Sequence, residues 1–248
     1  MIQLPDTNKN VISILSGGLD STILTYMLVN KYGSDKVLAL SFNYGQRHST
    51  ELEKAKITCK KLNIKHQIID ISFLNDVIKN VCALSKDTTV DLPEIKDTLG
   101  DPQSSNYVPF RNLIFSSLAL SFAESNNADL IYLGIQSNDC YGFWDCTKEF
   151  TDSLNNLTRL NRKTNIQLIT PFVNFDKKDE IQIGKELNVP FEDTWTCYRG
   201  DEGNHKACGK CSSCAERILN FAKAGIKDNQ EYEIDIEWNN LIENMKGK

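Results

Sequence analysis

The sequence predicts an α/β protein: a parallel, twisted sheet between two helical layers, Rossmann-like in type, with a small metal-binding segment near the C-terminus. Three observations predict it. Over the first 135 residues, short apolar, β-branched runs alternate with stretches of helical periodicity, as in parallel strands covered on both faces. The first such run passes directly into a glycine turn that opens a helix. Four of the eight cysteines fall between positions 197 and 214.

The elements follow in order. NVISILS, ending at Ser16, reads as a buried strand. Gly17 and Gly18 turn the chain into STILTYMLVNKYG, apolar at helical spacing, with Gly33 as its stop. KVLALSFNYG is a second strand, STELEKAKITCKKLNI an amphipathic helix and HQIIDIS a third strand. Residues 75–105 are polar and irregular and read as a long loop with a short helix. NLIFSSLALSFAESNNA is a helix and DLIYLGI a fourth strand. After Gly142 the pattern loosens. FTDSLNNLTRLNRKTN reads as a helix, IQLITPFVNF as a last strand or extended piece, and DKKDEIQIGKELNV as a helix. A further helix runs from about Ser212 to Ala224, and a polar tail follows from Gly225. No linker rich in Pro, Gly or Ser intervenes. The expected division is therefore an α/β domain over residues 1–190 with a cysteine-bearing segment, 191–248, packed on it.

The composition excludes several classes. The chain of 248 residues is long enough for one good core, and 40% hydrophobic with 25% charged residues is ordinary for a globular protein. It has no apolar run of the roughly 18 residues a membrane span needs, and MIQLPDTNKN has no signal-peptide pattern. A cytoplasmic protein is expected. A net charge of -5 argues against a nucleic-acid-binding surface, which is usually basic.

The sharpest motif is Ser16-Gly17-Gly18-Leu19-Asp20-Ser21, placed after a strand and before a helix. Glycines let the backbone approach a phosphate, the serines add hydroxyl donors, and the helix N-terminus favours an anion. A tight turn with no ligand is the plainer alternative. The lysine of the common GxxxxGK phosphate loop is missing. The pattern resembles the SGGxDS loop of the ATP pyrophosphatases, which cleave ATP between its α and β phosphates. That resemblance implies ATP and Mg2+ as cofactors, and Asp20 as a support for the loop or the metal. The cofactor-binding candidates are Leu15, Ser16, Gly17, Gly18, Leu19, Asp20, Ser21, Thr22 and Tyr44.

Cys208, Cys211 and Cys214 are three residues apart in sequence, and Cys197 lies eleven residues upstream. Four thiolates fit a closed, structural tetrahedral Zn2+ site. His205 is a substitute ligand. Unbound reduced cysteines and an iron–sulfur cluster are the alternatives.

Four segments together resemble the 7-cyano-7-deazaguanine (preQ0) synthase family, over nearly the whole chain. They are SGGLDST at 16–22, Phe42-Asn-Tyr-Gly-Gln-Arg-His48, Tyr107-Val-Pro-Phe-Arg-Asn112, and Thr194-Trp-Thr-Cys-Tyr198 leading into Cys208-Gly-Lys-Cys-Ser-Ser-Cys-Ala-Glu-Arg217. The resemblance implies a fold of the adenine nucleotide alpha-hydrolase type. It also implies conversion of 7-carboxy-7-deazaguanine, ammonia and ATP to the nitrile preQ0, by adenylation, amide formation and dehydration. A homodimer is implied as well. It suggests catalytic roles for Asp20, Ser21, Arg111 and Lys177, with His48 either ordering ammonia or packing under the loop. Arg47, Asp139, Phe143, Trp144 and Asp145 are the substrate-binding candidates, and aromatic faces there and at Tyr44 suit a deazapurine.

The chain departs from the family pattern in one region. Where members read Asp-x-Ser-Gly-Tyr-Pro-Asp-Cys-Arg, residues 139–147 read Asp-Cys-Tyr-Gly-Phe-Trp-Asp-Cys-Thr, and Phe110 replaces the glycine of Val-Pro-Gly-Arg-Asn. These changes leave open an enzyme that stops at the amide or joins the carboxylate to another amine. From other classes, a tRNA-thiolating enzyme and a non-catalytic nucleotide-binding protein are the alternatives. The acidic charge counts against the first and the intact Ser16, Asp20, Ser21 and Arg111 against the second.

Overall fold

The computed structural model describes residues 2–47, 49–92, 105–137, 139, 142–200 and 205–245. Five strands form one parallel sheet: β1 (Asn10–Ile14), β2 (Val37–Asn43), β3 (Lys65–Asp70), β4 (Ala128–Tyr132) and β5 (Gln167–Ile169), in spatial order β3-β2-β1-β4-β5. The helices are α1 (Leu19–Tyr32), α2 (Thr50–Leu62), α3 (Leu74–Ile78), α4 (Arg111–Ser125), α5 (Lys148–Thr158), α6 (Lys177–Glu186), α7 (Ser212–Lys223) and α8 (Trp238–Met245).

Successive strand residues point to opposite faces, so a strand covered on both sides must be apolar throughout. β1 and β2 show this. Ile12, Leu38, Leu40 and Phe42 face one core, where Leu74, Ala119, Ala123 and Leu154 pack from α3, α4 and α5. Val11, Val37 and Ala39 face the other, with Ile23, Leu28, Ala55, Ile181 and Phe221 from α1, α2, α6 and α7. The result is the expected three layers.

The strand order reverses at β1. Its outgoing loop leads on towards β2 and β3, whereas β4 pairs on its other side. Ligands in open α/β sheets bind in the crevice outside such a switch point, at the carboxyl ends of the strands. The loops after β1 and β4 meet there. A Cβ on Gly134, just past β4, would lie 3.0 Å from the Ser21 backbone nitrogen.

Two readings from the sequence needed revision. Periodicity extended the helix after Gly142 to about residue 165, but α5 ends at Thr158, where the Thr158 hydroxyl bonds the Asn155 and Ile166 carbonyls. The stretch from Gly225 was read as a tail. It carries a backbone bridge between Ala207 and Tyr232 and the helix α8, whose Trp238 is buried against the α7 side. The tail is polar on average, but Trp238, Leu241, Ile242 and Met245 stand at helical spacing within it, and Ile236, Trp238 and Leu241 pack on the core. Much of the expected long loop, 93–104, lies outside the described residues. Among the described residues no helix is long and apolar enough to cross a membrane.

Candidate active site

The phosphate loop occupies the crevice. Leu15 continues β1, giving its N–H to the Leu40 carbonyl at 2.9 Å. Gly17 then takes φ 92°, a left-handed conformation that suits glycine. A side chain there would also collide with α2, since a Cβ would stand 1.9 Å from the Glu51 carbonyl oxygen. The Gly17 carbonyl accepts the Trp195 N–H at 2.9 Å, so the cysteine-bearing segment is seated on the loop. The Ser16 and Ser21 hydroxyls lie 2.9 Å apart, and Ser21 Oγ accepts the Ser16 N–H at 3.2 Å. Gly18 caps α1 without a side-chain hydrogen bond, leaving the first-turn amides open to a ligand. An uncapped helix start beside a glycine turn is an anion site.

At one end of the cavity stands Lys177, the first residue of α6 and only 4% exposed. Its Nζ lies 2.9 Å from Glu216 Oε2 and 3.6 Å from Asp20 Oδ2. Burial opposes its charge, but Asp20, Glu216 and Asp139 together raise its pKa well above the usual lysine value, so the ammonium is fixed. Burial pushes Asp139 up to about 6, against the pull of Lys177, and its Oδ2 accepts the Gln136 N–H at 3.2 Å. Glu180, one turn on from Lys177, is fully buried. Burial, and after it the negative charge of the nearby Asp20, push its carboxyl well above the usual carboxylate range.

At the other end stands Arg111, the first residue of α4. A cation at a helix N-terminus opposes the helix dipole, so both features call for an anion. Burial works against the guanidinium, and Tyr44, Cys146, Asp145 and Tyr198 more than offset it. Asp145 is buried and holds the start of α4 in place: its Oδ2 accepts the Asn112 N–H at 3.0 Å, and Asn112 Nδ2 donates to the Asp145 carbonyl at 3.0 Å. Phe143 lines the cavity and stacks on Tyr107, with ring centroids 5.9 Å apart.

Ser16, Gly18, Leu19, Asp20, Ser21, Tyr44, Arg111, Asp139, Phe143 and Lys177 thus share one cavity. Other expected contacts are displaced. Leu15 and Thr22 are fully buried behind the loop and Gly17 is turned against α2, so these three shape the loop without lining the cavity. Arg47 is exposed and outside the lining; it is held by its backbone N–H to the Leu84 carbonyl at 2.8 Å. Asp145 acts behind Arg111. Trp144, 40% exposed, also lies outside the lining, donating from Nε1 to the Tyr107 hydroxyl at 2.7 Å and meeting Phe110 edge-on. His48 lies outside the described residues. Sequence reasoning missed Glu51, Tyr198 and Glu216, all in the lining. Tyr198 and Glu216 sit inside the two quoted cysteine segments, which were read for metal ligands and for the family resemblance but not for residues of the cavity. Nothing in its local pattern marked Glu51.

The departures from the family pattern have local roles. Phe110 replaces a glycine at φ 55°, and its ring, 54% exposed, packs on Trp144 on the outer side of α4. Thr147 caps α5, its Oγ1 accepting the Phe150 N–H at 3.1 Å. Tyr141 lies outside the described residues.

The four cysteines converge. All are buried, and their sulfurs lie within 4.8 Å of one another. Backbone N–H groups point at them: Cys208 to Cys197 Sγ at 3.4 Å, Cys211 to Cys208 Sγ at 3.3 Å and Cys214 to Cys211 Sγ at 3.4 Å. This sulfur set fits a metal ion. Beneath it Arg217, fully buried, grips Asp228 through Nε at 2.7 Å and Nη2 at 3.0 Å and donates to Thr194, Thr196 and the Phe191 carbonyl.

The family model of the queuosine biosynthesis protein QueC matches residues 10–225. The chain belongs to this family. Among curated QueC-like relatives, the 7-cyano-7-deazaguanine synthase of Caldicellulosiruptor saccharolyticus is 41% identical over 92% of this chain and 97% of its own. That of Marinomonas sp. is 37% identical over 91% and 99%. Among solved structures, the U34-tRNA thiolase NcsA of Methanococcus maripaludis is 14% identical, with a TM-score of 0.49 over 98% of this chain and 73% of its own.

Proposed function

We propose that this QueC-family chain is a 7-cyano-7-deazaguanine synthase, converting 7-carboxy-7-deazaguanine, ammonia and ATP to the nitrile. The observation that carries this reading is one cavity with an uncapped, glycine-entered helix start at its floor and cations at both ends, Arg111 and Lys177. A carboxylate is a poor electrophile because its oxygen leaves badly, and adenylation makes it a leaving group. Gly18, Leu19 and the hydroxyl of Ser16 bind phosphate. Lys177 steadies charge developing on the phosphate, a role that preorganised cations perform in a dry site. Arg111 holds the carboxylate of the deazapurine, and Tyr44 and Phe143 offer ring faces to its bicycle. Among the described departures only Phe143 lines the cavity, where it keeps an aromatic ring, while Phe110 and Trp144 sit outside the lining; this supports an unaltered endpoint.

Mg2+, when bound, would neutralise charge on the phosphates; Asp20 and Asp139 suit it, since Mg2+ takes one or two carboxylates plus substrate oxygens. The four cysteines suit Zn2+. Tetrahedral Zn–S bonds of about 2.3 Å set sulfurs about 3.8 Å apart, and Cys208 Sγ and Cys214 Sγ are 4.0 Å apart. An iron–sulfur cluster would spread its four thiolates over separate irons, farther apart. The zinc unit, 191–248, thereby closes on the 1–190 domain. A cytoplasmic homodimer completes the proposal, and the exposed apolar side chains Phe73, Val77 and Val81 beside α3 suit pairing.

The test is mass spectrometry of a reaction of the purified chain with Mg-ATP, ammonium and 7-carboxy-7-deazaguanine, alongside elemental analysis. The expected result is nitrile with AMP released and one zinc per chain. Accumulated amide, or no product from a chain that binds ATP, overturns the reading.

A further inference from the structure

The synthase reading leaves one chemical need unassigned. Ammonium has no free electron pair, and the nitrogen must later lose further protons to become a nitrile. The cavity therefore needs a base on the nitrogen side of the reacting carbon. Four carboxylates line it: Asp20, Glu51, Asp139 and Glu216. Asp20 and Glu216 are paired with the Lys177 ammonium, and Asp139 shares its field. They are committed to the lysine end. Glu51 is not. It stands in the first turn of α2, away from Lys177, and no hydrogen bond or ion pair engages its carboxylate among the described residues.

Its position is fixed by backbone rather than by a partner. The missing side chain of Gly17 lets the Glu51 carbonyl press against the phosphate loop, so the glutamate is carried to the cavity wall by the same contact that shapes the loop. The groups that face it are Arg111 of α4 and Tyr44, which follows β2. The charged groups on elements against the rest of α2 are engaged elsewhere: Asp193 with Lys61, and His66 of β3 with the Ser41 hydroxyl. Lys54, one turn on, donates to the Glu192 carbonyl.

We infer that Glu51 is the general base that takes protons from the nitrogen, and that it is a catalytic residue of the synthase. The inference rests on the proposed function. In the first round the ammonium ion gives one proton to the Glu51 carboxylate. The freed electron pair forms the C–N bond at the adenylated carbonyl, and the C–O bond to AMP breaks with its pair leaving on the phosphate. The second surplus N–H proton goes to that departing phosphate. Glu51 then releases its proton to solvent. In the second round the amide oxygen has been adenylated. Glu51 takes one N–H proton as the C≡N bond forms and the C–O bond to AMP breaks, and the other N–H proton again leaves with the phosphate. Arg111 neutralises the substrate carboxylate while the cationic nitrogen is drawn to Glu51. Burial pushes the Glu51 carboxyl up to about 7, against the pull of Arg111, which matches a base working near neutrality.

The test compares the native chain with Glu51→Gln and Glu51→Asp in three assays: carboxylate-dependent ATP–pyrophosphate exchange, ammonium-dependent product formation across pH, and hydroxamate formation with hydroxylamine, which is uncharged at neutral pH. For Glu51→Gln we expect exchange to persist and hydroxamate to form, while ammonium-dependent kcat falls at least about 100-fold. The acidic limb of the native rate profile, with its inflection at about 7, disappears. Glu51→Asp keeps that limb at a reduced rate. Ammonium turnover that survives in Glu51→Gln overturns the inference. So does equal loss of exchange, hydroxamate and ammonium turnover in both variants, which marks a structural role. A native chain silent in carboxylate-dependent exchange overturns the synthase reading itself, and is told apart by that silence.

Discussion

Gly17→Ala is the most informative single perturbation, because two separable costs meet at that position. The first is conformational. At φ 92° an L-residue is strained by about 1–2 kcal/mol. The second is steric. The new Cβ would lie 1.9 Å from the Glu51 carbonyl oxygen and 2.8 Å from the Ala55 nitrogen, both backbone atoms of α2. No side chain can rotate away, so the helix itself must shift, and overpacking of this kind costs about 1–3 kcal/mol. Gly225→Ala supplies the control. Gly225 has φ 69° and nothing within 4 Å of its would-be Cβ, so it bears the strain without the collision. At about 3 °C per kcal/mol for a chain of this size, Gly225→Ala should lower Tm by about 5 °C and Gly17→Ala by about 10 °C. Scanning calorimetry reads both, and AMP release reads activity, which should be lost only in Gly17→Ala. Equal Tm values and unimpaired turnover in the two variants would refute the seating of α2 on the phosphate loop.

Three further outcomes follow from the same geometry. Lys177→Met leaves Asp20, Asp139 and Glu216 without their cation and should lower kcat by about 100- to 1,000-fold, measured as AMP release at saturating substrates. Asp228→Asn leaves the buried Arg217 guanidinium without its bidentate partner and should cost about 3–5 kcal/mol in urea unfolding. Asp139 has its pKa raised from 3.8 to about 6 by burial, so the folded chain holds a proton that the unfolded chain releases, and stability drains away as pH rises through that window. Asp139→Asn cannot release it. Its Tm relative to the native chain should therefore climb between pH 4 and 6 and then level off, and a constant difference across that range would contradict the raised pKa.

The sheet, the phosphate loop and the cysteine cluster were legible in the sequence because each is written locally. A buried parallel strand is apolar at every position, a glycine turn sits between strand and helix, and the three cysteines at 208, 211 and 214 are evenly spaced. Lys177 and Arg111 were legible only through the family resemblance. What stayed hidden was decided by contact between distant segments. Glu51 looks like one more surface acid of an amphipathic helix until Gly17 brings that turn onto the loop. Arg47 sits in a motif yet points outward, because its backbone is tethered to Leu84. Trp144 was read as a ring for the substrate, but its indole N–H is directed to Tyr107. The helix α8 was legible too, since Trp238, Leu241, Ile242 and Met245 fall at helical spacing, but it was passed over inside a segment that is polar on average.

The hydrogen bond from Trp195 to the Gly17 carbonyl gives the cysteine cluster a second significance. Trp195, Thr196 and Tyr198, which flank Cys197, form one wall of the cavity. Oxidation of one of these thiols, or removal by a chelator of a metal held there, would therefore damage catalysis before it unfolded the sheet. Under oxidative or metal-poor conditions activity should fail first at this contact between the cysteine segment and the phosphate loop.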